Sequence, residues 1–319
     1  MIVTIDDVAQ QAGVNKSTVS RALNGSKTIS EVTRKKIQKI ADDMGYVGNL
    51  HAKMLASQQV NAIGVVFPAI ADQSNQPFFM KILTAINESA RENLVTVAIA
   101  TGRSVEELES QVRRMHLERR VDGFIVLYAE NDSVRSYLET QKIPFVLVGS
   151  PEKEGKNINS VDNDNYMMGV EAAQYLLSRG HKKLLFFIDE IRGNFSKERL
   201  QGFLDSVGKN TCQVVNIYNT NFVRTDETAA VMLDDWIAVS LIERLKNQKV
   251  QIPDDLSIIS FNNSYLSELI QPRLTTYGIN VRQLGEKAVA VLQHTIKTGE
   301  KQQVLVPFHL VERDSVKTI

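Results

Sequence analysis

The chain has 319 residues, 43% of them hydrophobic and 23% charged, with equal numbers of basic and acidic side chains. That composition fits a globular protein with room for two or three domains. It excludes a polycation, no apolar run is long enough to span a bilayer, and the lone Cys212 leaves no internal disulfide. The start, Met1 to Asp7, lacks the basic and apolar stretches of a secretory signal, so a cytoplasmic location is expected. Residues 1–60 carry eight basic against five acidic side chains, a surplus of three positive charges balanced by the remainder. A basic head on an acidic body suits a head that meets phosphate.

In chain order, Thr4 is placed to cap a helix running from Ile5 to Ala12, with Asp6 and Asp7 in the first turn where the helix dipole favours negative charge. Gly13 stops it in the left-handed conformation. Asn15 then opens a second helix, Lys16 to Leu23, with Val19, Ala22 and Leu23 inward and Lys16, Ser17, Ser20 and Arg21 outward. Asn24-Gly25 marks a turn. Ser30 caps a third helix whose stripe is Ile37, Ile40, Ala41 and Met44, ending at Gly45. Two short helices joined by a tight glycine turn form a helix-turn-helix. The second helix of such a unit enters the major groove, where Arg, Lys, Ser and Asn meet base edges. A generic three-helix bundle with solvated charges is the alternative.

From Asn61 the rhythm changes to alternating strands and helices. Strands are expected at 62–67, 95–100, 124–127, 145–148, 183–188, 213–218, 229–233, 256–261 and 304–311, with helices at 79–93, 105–119, 166–178, 199–209, 236–246 and 281–298. This βαβ repeat predicts two doubly wound parallel sheets with a ligand cleft between them. One crossover is short. Strands 213–218 and 229–233 should be parallel neighbours, yet only 219–228 lie between them, so that element is expected to be distorted or deleted.

Val3-Thr4-Ile5 to Ala12-Gly13-Val14, Ser17-Thr18-Val19-Ser20-Arg21-Ala22-Leu23-Asn24, Ile29-Ser30, Thr33-Arg34 and Gly45-Tyr46 to Asn49 closely resemble the headpiece of LacI/GalR transcriptional regulators. That resemblance implies that Lys16, Ser17 and Arg21 read bases and that Thr4, Ser20, Asn24 and Thr33 hold phosphates. Thr18, Asn49 and Ala52 complete the DNA-facing set. It also implies that His51 to Ser57 form a hinge helix whose Leu55 wedges into the minor groove. Gly48 departs from the proline usual there and loosens the hinge. The resulting organisation is a headpiece over 1–48, a hinge over 49–60 and an effector-binding, dimerising body over 61–319. The body resembles a periplasmic-binding-protein fold.

Effector contacts implied by the resemblance are Phe79 in the Gln76-Pro77-Phe78-Phe79 corner, Asn163 in Asp162-Asn163-Asp164-Asn165, Arg199, Asp235 and Asn262. Asp164 and Asn165 are read as caps for the following helix rather than as ligands. The Arg199 fork can meet two vicinal hydroxyls or a carboxylate; a solvated arginine at a helix start is the alternative. Phe222 could stack on a sugar ring. Trp236 could as well, although core packing is its expected role. Asn262 stands where sugar-binding relatives carry Asp. Together, these segments look most like maltose-operon repressors within the family.

The expectation is a homodimeric repressor of a carbohydrate-utilisation operon. It would bind double-stranded operator DNA, be controlled by a small sugar such as maltose, and use no cofactor or metal. A regulator answering to a protein corepressor or a non-sugar ligand is the alternative. A transport receptor is disfavoured by the headpiece. Catalysis is disfavoured because no phosphate loop, nucleophile elbow or metal-spaced histidine cluster is present.

Overall fold

The computed structural model describes residues 3–23, 25–26, 28–46, 59–69, 77–127, 133–151, 158–188, 193–208, 211–218 and 224–319. The chain divides into two units, Met1–Val60 and Asn61–Ile319.

The first unit contains α1 (Ile5–Ala12), α2 (Lys16–Leu23) and α3 (Glu31–Asp43). Thr4 and Asp7 cap α1 reciprocally, each side chain accepting from the other residue's backbone N–H, and Gly13 ends it at φ 70°. The Asn15 carbonyl accepts from the N–H groups of Thr18 and Val19 and so starts α2. Ser30 caps α3 through Thr33 N. Val8, Ala9, Ala12, Val19, Ala22, Ile37 and Ala41 form the small core. Helical spacing put them all on the inward faces.

The second unit contains β1 (Ala62–Val66), α4 (Pro77–Glu92), β2 (Thr96–Ala100), α5 (Val105–Leu117), β3 (Gly123–Leu127), α6 (Ser133–Thr140), β4 (Phe145–Val148) and β5 (Ser160–Asp162). There follow α7 (Asn165–Ser178), β6 (Leu184–Ile188), α8 (Gly193–Val207), β7 (Cys212–Asn216), β8 (Ala229–Met232), α9 (Asp235–Asn247), β9 (Ser257–Asn262), α10 (Leu266–Leu269), β10 (Thr275–Ile279), α11 (Val281–Thr298), β11 (Gln303–Leu305) and β12 (Phe308–Val311). Two six-stranded sheets result, ordered β11-β5-β4-β3-β1-β2 and β12-β10-β9-β8-β6-β7. All pairs are parallel except β10 with β12. The central strands are buried on both faces, which is why they read as unbroken apolar runs. Each sheet has its own hydrophobic core. The chain passes between the two subdomains after β5, after β10 and between β11 and β12.

Three expectations are corrected. Strands β7 and β8 are not neighbours; both pair with β6, from opposite sides. Among the described residues of the connection, 217–218 and 224–228, none is helical. The segment 304–311 is not one strand. It breaks at Val306-Pro307, gives β11 to the first sheet and β12 to the second, and so forms one of the crossings. Finally, β10 went unread, because Thr275 and Thr276 interrupt the apolar pattern; both are fully buried, and their hydroxyls are satisfied by Arg313 N and Asp235.

Candidate functional sites

On the first unit, packing of Val19 and Ala22 into the core leaves the opposite face of α2 outward. Lys16, Ser17 and Arg21 are exposed, and Thr18 and Ser20 are half-buried beside them. Lys16 Nζ meets Asp6 Oδ2 at 2.9 Å, an exposed pair of little energetic weight that a phosphate can displace. Thr4 Oγ1 and Thr33 Oγ1 are engaged in caps, with Asp7 and Ser30 respectively. This places both threonines at helix N-termini, where backbone N–H groups face outward. Asn24, Asn49, Ala52 and Leu55 lie outside the described residues, as does most of the expected hinge.

On the second unit, the carboxyl ends of the strands bring together a polar cluster. Arg199 is mid-helix in α8 and only 4% exposed, not at a helix start as the sequence pattern suggested. Its position depends on close packing of α7 on α8, because a Cβ on Gly169 would collide with the Arg199 carbonyl oxygen. The guanidinium donates from Nε to Asn165 Oδ1 (2.9 Å) and from Nη1 to Leu233 O (3.1 Å) and Asn262 Oδ1 (3.4 Å). It also lies 4.8 Å from the Phe261 ring centroid. Burial lowers its pKa to about 10, and the surrounding Asp162, Asp234, Asp235 and Glu198 keep it charged at neutral pH.

Asp235 is 1% exposed. Its Oδ1 accepts from Ser260 Oγ (2.5 Å) and Thr276 Oγ1 (3.0 Å), and its Oδ2 from Ser264 N (2.5 Å). Burial raises its carboxyl pKa, and these donors oppose the rise. Asp235 thus fixes the loop 262–264, where Asn262 and Asn263 both take positive φ (98° and 47°). Asn163 is buried, and its Nδ2 donates to Val306 O at 2.7 Å, tying the first crossing to the third.

A recess of about 60 Å³ opens beside this cluster, lined by Phe78 and Lys81 of α4, by Asp234, Asp235 and Trp236, and by Asn262, Ser264 and Leu266 among others. The aromatic lining it from α4 is Phe78. Phe79 is 5% exposed, inside the first core against Phe67. The residue expected in the core, Trp236, is 65% exposed and lines the recess. Asp164 caps α7 through Met167 N, as expected. Asn165 does not share that role: it is the first residue of α7, and its amide links Arg199 to Asp162. Sequence reasoning also missed Ser150 and Glu198: Ser150 Oγ lies 3.0 Å from both Asp162 Oδ2 and Glu198 Oε2. No local pattern marks either of them. Phe222 lies outside the described residues. Among the described residues no cluster of His, Cys, Asp or Glu could hold a metal ion, and no helix is long and apolar enough to cross a membrane.

Residues 4–49 match the family of bacterial regulatory proteins of the lacI family. Residues 61–233 match the periplasmic binding proteins and sugar binding domain of the LacI family, and residues 173–316 a periplasmic binding protein-like domain. The HTH-type transcriptional regulator MalR of Staphylococcus xylosus is 31% identical over all of this chain and 99% of its own. The HTH-type transcriptional repressor PurR of Vibrio atlanticus is 27% identical, covering 99% of each chain. Among solved structures, the lac repressor dimer bound to operator and the anti-inducer ONPF superposes with a TM-score of 0.81, covering 99% of this chain and all of that one, at 23% identity. That likeness shows the fold. With a headpiece and body each matched in order along the whole length, the chain belongs to the LacI family of bacterial transcriptional regulators.

Proposed function

We propose that this regulator represses a carbohydrate-utilisation operon, binding its operator as a homodimer and releasing it when a small sugar such as maltose enters the cleft. In this reading the headpiece is residues 1–48, the hinge 49–60 and the effector-binding body 61–319. Lys16, Ser17 and Arg21 read bases. Thr4, Thr18, Ser20, Asn24 and Thr33 hold the backbone, with Asn49, Ala52 and Leu55 of the hinge in the minor groove.

The carrying observation is the recess shared by Phe78 and Trp236, on separate subdomains, beside the buried ring of Arg199, Asp235 and Asn262. A sugar presents apolar C–H faces to aromatic rings and hydroxyls to fixed donors and acceptors. Asn163, Arg199 and Asn262 supply such groups. A ligand gripped from both sides changes the angle between subdomains, and that change reaches the hinge helices of the two protomers. A solved structure of a probable maltose operon transcriptional repressor, 25% identical over 81% of this chain, supports maltose as the first sugar to test.

The test is a fluorescence-anisotropy titration of full-length protein on the upstream region of a maltose-use gene, with and without maltose. Tight binding that maltose weakens is expected. Equal affinity for random DNA overturns the operator reading, and indifference to every sugar overturns the effector reading.

A further inference from the structure

The loop that carries Asn262 into the recess has a backbone conformation that must be imposed from outside. Asn262 and Asn263 are consecutive non-glycine residues at φ 98° and 47°. Residues in such sparsely populated regions stay there only where the surrounding structure over-determines them. Asp235 secures one end of the loop, accepting from Ser264 N. The other anchor comes from much further along the chain.

Arg313 follows β12, and its side chain is largely buried. Its Nη2 donates to Asn263 Oδ1 (2.8 Å) and to Glu268 Oε1 (3.0 Å). Its Nη1 donates to Leu274 O (2.8 Å) and to Ser267 Oγ (3.3 Å), and Ser267 Oγ donates in turn to Ser264 O (2.7 Å). The backbone N–H of Arg313 donates to Thr275 Oγ1 at 3.0 Å. One planar fork therefore ties the loop, α10 and the start of β10 to the segment after β12. The two anchors also meet: Asn263 N donates to Thr276 Oγ1 at 3.3 Å, and that hydroxyl donates to Asp235.

Arg313 does not line the recess, whereas Asn262 and Ser264, on either side of the residue it holds, do. Asn262 Oδ1 is 3.4 Å from Arg199 Nη1, longer than the bonds of that guanidinium to Asn165 and Leu233 O. At that length a small swing of the loop breaks it.

Resting on the reading of a small carbohydrate effector in this cleft, we infer that Arg313 is a positioning residue for the effector site, holding Asn263 from behind so that Asn262 meets Arg199 and the ligand. It sets effector affinity without touching the effector, because a loop already ordered has no ordering cost to meet on binding.

The experiment is calorimetric titration of the full-length protein with maltose, cellobiose and glucose, alongside operator affinity measured without sugar. Arg313→Gln is expected to weaken the best sugar about tenfold, the cost of ordering a loop and its two asparagines, at unchanged operator affinity. Asn263→Gly breaks the same link from the loop side, at a position where glycine takes positive φ freely, and is expected to weaken the sugar as much. In that background Arg313→Gln should cost nothing further, since the link is already gone. Parent-like sugar binding by Asn263→Gly overturns the inference even where Arg313→Gln fails to fold. A tenfold loss that persists in the glycine background, or operator affinity that falls in step with sugar affinity, also overturns it and leaves the carbohydrate reading standing. Heat from no sugar with the parent overturns the carbohydrate reading. The loop is then read without ligand from Trp236, the sole tryptophan, which lines the recess with Asn262 and Ser264. Its emission should shift in Arg313→Gln, and a parent-like spectrum overturns the inference whatever the sugars do.

Discussion

The two candidate functional surfaces of this regulator handle their polar groups in opposite ways. Arg21 on α2 is exposed, and the fold asks nothing of its guanidinium. Arg199 on α8 is 4% exposed and bonded to three elements of its own subdomain. A DNA-reading face can stay solvated until the duplex arrives, because phosphate and base edges supply the partners. A small-molecule cleft must hold its groups in place without water, so each group also holds the fold. Function and stability should therefore separate cleanly in the headpiece and be entangled in the body.

The largest expected effect tests the entangled side. Asp235→Ala leaves the Ser260 and Thr276 hydroxyls and the Ser264 N–H without their acceptor in a buried site. A loss of about 3 kcal/mol is expected from buried donors stripped of a charged partner, read as a lower denaturant midpoint. Asp235→Asn, which retains one acceptor, should fall between the two. A midpoint unchanged in Asp235→Ala would break the contrast. Next comes Arg21→Ala, the separable side. Operator affinity should fall roughly ten- to a hundredfold, with the salt dependence reduced, while the midpoint stays within about 0.5 kcal/mol of the parent. Parent-like affinity would remove α2 from the DNA.

The same contrast explains what could be read in advance. Thr4, Gly13 and Ser30 were legible as caps because capping is decided by residues three or four apart. The parallel strands were legible because burial on both faces leaves an unbroken apolar run. The cleft was harder. Arg199 was placed there by resemblance, but its partners Asn165, Leu233 O and Asn262 are brought in from 34 and 63 residues away by the fold. Trp236 was misread because a lone tryptophan is usually core, whereas here α9 turns it to the recess behind the Asp234 cap. The order β8-β6-β7 is not legible in the sequence, because strands adjacent along the chain need not be adjacent in the sheet.

A smaller effect sharpens the headpiece half. Thr4→Ala removes one member of the reciprocal cap with Asp7, at a cost of about 1 kcal/mol to a unit with a small core. Thr4 is also a candidate phosphate contact. Thr4→Ser keeps the cap oxygen and should restore both stability and binding. Restored binding without restored stability would mean that the cap is dispensable.

The smallest effect distinguishes the regions by pH. Residues 3–46 contain no histidine. The body buries His181, with Nδ1 at 2.9 Å from Thr228 Oγ1 and Nε2 at 3.0 Å from Lys317 O in the C-terminal strap. The neutral ring donates from Nε2 to that carbonyl and accepts the Thr228 hydroxyl at Nδ1. Burial lowers its pKa below the ordinary 6.5, with the Lys317 carbonyl opposing and the Lys317 charge assisting. The unfolded chain then takes up the proton first as pH falls, so the contribution of His181 is complete above 6.5 and is lost progressively below it, down through the folded-state value. Asp162, Glu198 and Asp235, whose pKa values burial raises, act with the opposite sign. Comparing the parent with His181→Gln cancels those acids. The parent's melting temperature relative to the variant's should fall as the pH drops below 6.5. Parallel curves would show that the strap holds the same whether or not the ring is charged, and that burial here carries no proton linkage.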